Sequence, residues 1–190
     1  MKKWLDASII YEPDENTSWS SSLLIVPKRD NAGNNKGWRI CIDPRHINEM
    51  LPDVNYPLPK IEDILESLSG FIVASRIDLV SGFNQILVNQ DDQIKTSFYW
   101  DGAHYCFKGA PFGLKHMPAV FQHVMTKLLR DLPYVMVFID DIIIFSNTFT
   151  EHEQHVRNVI KRLNDANLTM NLKKSDFGCI ELIILGHKVS

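Results

Sequence analysis

The sequence predicts an α+β fold in which an antiparallel sheet carries helices on one face. Two β-branched runs, Tyr134–Ile139 and Ile142–Ser146, flank Asp140-Asp141 and leave no room for a crossover, so they must pair as a hairpin. Strand and helix signals do not alternate regularly along the chain, which disfavours a doubly wound parallel sheet. Two amphipathic patterns, one after Pro118 and one after Thr150, supply helices with a single apolar face each.

In chain order, residues 1–22 read as polar and irregular. Leu23–Pro27 and Trp38–Asp43 read as strands joined by the Asn- and Gly-rich turn Arg29–Gly37, hence a hairpin. Pro52, Pro57 and Pro59 make an extended connector. Ile61, Ile64, Leu65 and Leu68 fall at helical spacing, and Gly70 supplies the stop. Phe71–Asp78 reads as a buried strand, and Gln85–Val88 and Thr96–Trp100 as two more across an acidic turn. Pro118 opens a helix with Phe121, Val124, Met125, Leu128 and Leu129 on its apolar face. A capping box, Thr150 with Glu153, opens the next, whose buried face is Val156, Val159, Ile160 and Leu163. Leu182–Val189 forms the last strand or strand pair.

A chain of 190 residues holds one large domain or two small ones. No apolar run approaches the roughly 20 residues that span a bilayer, so no membrane partner is expected. The start, MKKWLDASII, lacks the apolar stretch of a signal peptide. Cys41, Cys106 and Cys179 are odd in number and lack C-x-x-C spacing, which points to reduced thiols in an intracellular compartment, cytoplasmic particle and nucleus not being distinguished. The net charge of −3 argues against a protein that grips nucleic acid through overall charge, and leaves local patches open.

Asp140-Asp141 is a poor hairpin tip. Two-residue turns favour Asn-Gly or Asp-Gly, because φ must be positive. Two carboxylates about 4 Å apart also repel by on the order of 4 kcal/mol near a protein surface. A divalent cation reverses that sign, and Mg²⁺ is commonly held by one or two carboxylates with substrate phosphates. The alternative is a solvated turn. Asp78, closing the strand FIVASRID, is a third acid at a strand end. It is either a helix cap, a partner of Arg76, or a third member of one cluster able to hold two metals for in-line phosphoryl transfer.

Seven stretches then combine in one order: SWSSSLLIVPKRD, WRICIDPRHIN, YPLPKIEDILESLSG, SRIDLVSGFNQI, APFGLKHMPAVFQ, VFIDDIIIFS and ILGHKVS. Together they resemble the reverse transcriptases of long-terminal-repeat retrotransposons of the Ty3/gypsy type, over nearly the whole chain. The family's aspartate signature usually has Tyr where this chain has Phe138. The resemblance implies a right-hand polymerase. Residues 1–60 would be part of the fingers. Residues 61–190 would be the palm, a ferredoxin-like antiparallel sheet with helices on one face and a fingers insertion around 85–115. Thumb, connection and RNase H regions, which normally follow in a larger polyprotein, would be absent.

The same resemblance implies catalytic Asp78, Asp140 and Asp141. Mg²⁺, with Mn²⁺ as a substitute, would be held chiefly by Asp78 and Asp140 with the Leu79 carbonyl, Asp141 acting less directly. Lys28 and Arg39 would hold the triphosphate, where a bidentate guanidinium suits phosphate oxygens. Their alternative is two solvated hairpin charges. Phe83 would close on the 2′ carbon of the sugar and select deoxynucleotides, or else is core. Phe112 would pack against the incoming nucleotide, and Leu185, Gly186 and His187 would grip the primer end. The loop from Asn31 to Gly37 is longer than the family's usual turn. The implied partners are an RNA or DNA template with its primer, and dNTPs. The expected activity is template-directed transfer of deoxynucleotides to a primer 3′-hydroxyl by a two-metal mechanism. The alternative is a weak or inactive retrotransposon remnant that binds nucleic acid or protein. A carboxylate-dependent nuclease explains the aspartates but not Lys28, Arg39 or the primer-grip motif. His152 and His155 beside Glu151 and Glu153 resemble a metal pair but read as a solvated helix face, and Lys173-Lys174 as a surface turn or a phosphate contact.

Overall fold

The computed structural model describes the chain except residues 15–16, 30–33, 54–55, 69, 185 and 190, and gives backbone alone for residues 29, 36, 65 and 67. Along the chain run α1 (Lys2–Asp6), β1 (Ile10–Tyr11), β2 (Leu23–Arg29), β3 (Asn35–Ile42), α2 (Arg45–Met50), α3 (Ile61–Ser67) and β4 (Val73–Ile77). Then come α4 (Gln90–Gln93), β5 (Phe98–Trp100), β6 (Ala103–Phe107), α5 (Met117–Leu129), β7 (Val135–Phe138), β8 (Asp141–Ser146), α6 (Phe149–Asp165), β9 (Asp176–Cys179), β10 (Leu182–Ile184) and β11 (His187–Val189). The chain divides into two compact units, Met1–Asp53 with Phe83–Met117, and Val54–Gly82 with Pro118–Ser190. Among the described residues no helix is long and apolar enough to cross a membrane.

The first unit holds the antiparallel hairpin β2–β3, paired from Leu23↔Ile42 to Arg29↔Asn35 with an irregularity after Lys28. The expected hairpin is thus present and longer than its apolar residues alone indicated, while part of its turn lies outside the described residues. Beside it is the sheet β1–β6–β5. Its core is Ile10, Ile42, Phe98 and Phe107, with Trp4 tilted on Phe107 at 5.5 Å between ring centroids. The N-terminal stretch is therefore irregular only in part: α1 and β1 lie in it, and Ile10 is 2% exposed and anchors a strand. Gln85–Val88 is not a strand. A 3₁₀ turn over Gly82–Gln85 precedes a single bridge, Leu87↔Gly109. Gly109 comes so close to the preceding loop that a Cβ there would stand 1.7 Å from the Asn84 carbonyl oxygen.

The second unit is built on the antiparallel sheet β7–β8–β4–β9. Successive strand residues point to opposite faces, so the register Ala74↔Phe145 and Ser75↔Ile144 sorts the side chains. Val73, Ser75 and Ile77 share one face with Ile142, Ile144 and Ser146, and α6 lies there through His152. Ala74 and Ile143 share the other, where Ile64 of α3 and Leu68, which caps it, pack with Leu182 and Ile184 of the β10–β11 hairpin. The two-sided cover explains why the aspartate hairpin sits one residue away from its expected register. Phe138 pairs with Asp141, so Ile139-Asp140 is the loop and Asp141 belongs to the strand. An apolar run buried on both faces does not specify register, and here no Gly does either. The helix after it likewise starts earlier than expected: Thr148, not Thr150, is the cap and accepts from the Glu151 N–H at 3.2 Å.

Candidate active site

Asp78 follows β4 directly, and the residues that hold it come from the segment between α6 and β9. Its N–H donates to Ser175 Oγ at 3.1 Å, and its carbonyl accepts from the Asn171 N–H at 2.8 Å. A bridge between Leu79 and Met170 uses the Val80 N–H and the Asp78 carbonyl, leaving the Leu79 carbonyl out of that bridge. One carboxylate oxygen of Asp78, Oδ1, is buried and accepts no hydrogen bond from any described residue. The other, Oδ2, lies 3.8 Å from Lys174 Nζ. Extending the register Ile77↔Ile142 by one position sets Asp78 opposite Asp141. Burial pushes the Asp141 carboxyl up from its ordinary value, Asp78 pushes it further, and Arg76 opposes both.

The hairpin loop carries Asp140, which is exposed, and Ile139, whose φ is +49°. That conformation is a steric outlier for a β-branched residue, costing on the order of 1–3 kcal/mol. Gln122 of α5 faces it. The Ile139 N–H donates to Gln122 Oε1 at 2.7 Å, and Gln122 Nε2 donates to the Val137 carbonyl at 2.9 Å. A Cβ on Gly82 would meet the Phe121 ring at 3.1 Å and Asp140 Oδ1 at 3.5 Å, so the missing side chain leaves room for that carboxylate. Among the described residues no three His, Cys, Asp or Glu side chains are gathered into a preassembled metal site. Asp78, Asp140 and Asp141 nonetheless lie at one end of the sheet. The buried, unpartnered Asp78 oxygen and the acid facing it form a hard, anionic donor set that suits Mg²⁺ or Mn²⁺.

Lys28, Arg39, Phe83 and Phe112 fall in the first unit, and the expected primer-grip residues in the second. Val26↔Arg39 and Lys28↔Gly37 put Lys28 and Arg39 diagonally on one face of the β2–β3 ribbon. The Arg39 guanidinium lies 5.4 Å from the centre of the Phe112 ring, and Phe112 lies 5.5 Å from Phe83. A cation, a platform ring and a second ring therefore touch in succession. Asn48 fixes the loop after Phe112: its Nδ2 donates to the Gly113 carbonyl and its Oδ1 accepts from the Lys115 N–H. Of the primer-grip residues, Gly186 has φ +83° and His187 is exposed on β11, while Leu185 lies outside the described residues.

The histidine pair is not a solvated face. His152 is 4% exposed, with Ser75 Oγ 2.7 Å from Nε2 and Ser146 Oγ 2.9 Å from Nδ1. His155 Nδ1 reaches the same Ser146 at 2.8 Å, and its ring stacks on Tyr134 at 3.5 Å. Three polar side chains that matter here, Gln122, Asn48 and His152, were not singled out as positioning groups. A Gln or Asn inside a helix carries no periodic signal, and the Glu neighbours of His152 disguised its inward side.

The family described as reverse transcriptase (RNA-dependent DNA polymerase) matches residues 26–189. Across its whole length the chain is 36% identical to a retrovirus-related Pol polyprotein from transposon 297 of Drosophila melanogaster, covering 18% of that protein. It is 34% identical over 95% of its length to the corresponding polyprotein from transposon gypsy of the same organism, again covering 18%. Among solved structures it resembles a foamy viral protease-reverse transcriptase in complex with an RNA/DNA hybrid. The TM-score is 0.87 with 27% identity, covering 98% of this chain and 24% of that one. The chain thus spans under a fifth of the length of these curated relatives. An antiparallel sheet ending in three aspartates, a hairpin bearing Lys28 and Arg39, and a match over residues 26–189 agree: this chain belongs to the reverse transcriptase family, with its relatives among gypsy-type retrotransposons.

Proposed function

We propose that this chain is the fingers-and-palm part of an RNA-directed DNA polymerase, adding deoxynucleotides to a primer 3′-hydroxyl as an RNA or DNA template directs. The observation that carries the reading is the Asp78 carboxylate. It has a buried oxygen without a hydrogen bond among the described residues and an opposing acid, Asp141, whose proton affinity is raised. A structural acid would be hydrogen-bonded or paired on both oxygens. Asp78, Asp140 and the Leu79 carbonyl, with Asp141 behind them, are the groups that would hold Mg²⁺. When bound there, Mg²⁺ supplies the charge that eases ionisation of the primer hydroxyl and neutralises the departing pyrophosphate.

The chain's own residues do the positioning. Lys28 and Arg39 bind the triphosphate, and Arg39, resting on Phe112, presents its fork at a fixed height. Phe83 lies beside Phe112 and excludes a 2′-hydroxyl from the sugar position. Leu185, Gly186 and His187 hold the primer end. The foamy viral relative was solved with an RNA/DNA hybrid, which supports a primed template as the partner. The curated relatives are polyproteins of which this chain covers 18%, and like the matching part of them the chain would act within a longer product. The test is extension of a labelled primer on an RNA template by the wild-type chain and by Asp140→Asn. Template-directed, magnesium-dependent extension that disappears in Asp140→Asn supports the reading. Extension that persists in the variant removes Asp140 from the catalytic centre, and none by the wild type identifies a non-catalytic module.

A further inference from the structure

We propose that Gln122 is the positioning residue that sets the aspartate hairpin, an inference that rests on the polymerase reading above. Three observations carry it. First, Gln122 is 2% exposed on α5, where an aliphatic side chain would pack without needing partners. Second, every polar atom of its amide is engaged, and the partners dictate its orientation. Ile139 offers only an N–H, so it must meet Oε1, whereas the Val137 carbonyl must meet Nε2. The second Nε2 hydrogen goes to Thr126 Oγ1 at 3.1 Å, one helical turn away. Third, the two backbone groups held are those of residues 137 and 139, which bracket the approach to Asp140, and residue 139 is the one with φ +49°.

Together these make a clamp. An isoleucine left to itself leaves the left-handed region, and the loop then rotates about the residue before Asp140. Gln122 opposes that relaxation from a 13-residue helix, a rigid support, and so holds Asp140 in the loop and Asp141 at the start of β8, opposite Asp78. The bond to the Val137 carbonyl only ties the helix to the sheet. The second, to the strained residue, is the one that aims the carboxylates.

The experiment uses the 190-residue chain with Gln122→Met, which keeps the volume and removes all three bonds, and the double variant Gln122→Met/Ile139→Gly. Amide hydrogen exchange at Ile139 is measured under native conditions, and single-nucleotide incorporation on a primed RNA template is measured in single turnover. Gln122→Met is expected to exchange at Ile139 at least ~10-fold faster. Its incorporation rate should fall by ~10- to 100-fold at saturating dNTP, with the half-saturating dNTP concentration unchanged, as expected for misplaced chemistry rather than lost binding. Ile139→Gly, which adopts positive φ without strain, should recover part of that loss. Unchanged exchange at Ile139, an unchanged rate in an active background, or no recovery in the double variant overturns the inference while the polymerase reading stands. A wild-type chain with no incorporation above Asp140→Asn overturns the reading and the inference with it, even if the exchange result confirms the hydrogen bond.

Discussion

Replacing His152 with leucine tests the buried network beneath the aspartate strands. Burial favours a neutral His152, and with a neutral ring one arrangement of protons that satisfies these contacts runs in a single direction. The Gly178 N–H donates to Ser75 Oγ, the Ser75 hydroxyl to His152 Nε2, His152 Nδ1–H to Ser146 Oγ, and the Ser146 hydroxyl to His155 Nδ1. Burial, with His155 adding to it, holds the His152 imidazole below its ordinary value. His152→Leu keeps about the same volume. Ser146 retains His155 as a partner, but the buried Ser75 hydroxyl loses its acceptor. An orphaned buried hydroxyl costs about 1–3 kcal/mol, which for a chain of this size lowers Tm by roughly 4–8 °C at 2 kcal/mol.

The pH dependence has a definite sign. A histidine with a depressed folded value binds its proton less tightly in the fold than in the unfolded chain. Its stabilising effect is therefore complete above the ordinary imidazole value of 6.5 and is lost as pH falls below it, towards the folded value. Wild-type stability should fall as pH drops below about 6.5, and that part of the fall should vanish in His152→Leu. All four tryptophans, Trp4, Trp19, Trp38 and Trp100, lie in the other unit, so fluorescence would miss the effect. Amide exchange of Ile142, Ile143 and Ile144, measured against pH, reports it directly. Equal pH slopes in the two proteins would refute the argument.

Three further outcomes are expected. Phe83→Val removes bulk beside Phe112, so the ratio of dNTP to rNTP incorporation efficiency should fall, alongside a loss of about 1–3 kcal/mol from the smaller core residue; an unchanged ratio would make Phe83 a core residue alone. Gly109→Ala places a Cβ 1.7 Å from the Asn84 carbonyl oxygen, so the loop pairing at Leu87 must open; thermal unfolding and exchange at Val88 and Ala110 should show it, whereas Gly102→Ala, with nothing near its Cβ, should strain only the local backbone. Asp141→Asn removes a carboxyl whose folded value is raised by burial and by Asp78. The wild type should therefore gain stability as pH falls through that raised value towards the ordinary carboxylate range, and the variant should be more stable at neutral pH by about 0.5–1 kcal/mol, the scale of a like-charge cross-strand pair, yet less active.

Residues that interrupted a pattern were legible in advance. Asp78, Asp140 and Asp141 stood out because acids at the ends of apolar strands need a physical reason, whereas Lys28 and Arg39 were named only through the family resemblance, and the hairpin register places both on one face of the ribbon. What escaped had no pattern to break. The one-residue shift of the loop, from Asp140-Asp141 to Ile139-Asp140, turns on a strained backbone at Ile139 that Gln122 stabilises from 17 positions away in sequence. Strand β9 pairs with Ala74 and Arg76 through an irregular register, and its sequence, Asp176-Phe-Gly-Cys179, carries little strand propensity. Strand β1 has two residues and was invisible as a run, though Ile10 is among the most buried side chains. Thr148 and Thr150 both head a Thr-x-x-Glu pattern, and only the fold decides which one caps.

The central claim is that Asp78 and the aspartate hairpin hold the cations of a polymerase centre. Crystals of the chain with a primed template, a non-reacting dNTP analogue and Mn²⁺, measured at the manganese edge, test it without relying on turnover. The account predicts an anomalous peak bonded to the Asp78 carboxylate and shared with Asp140 or Asp141, absent in Asp78→Asn. A nucleotide-bound complex in which manganese lies away from Asp78 would contradict it.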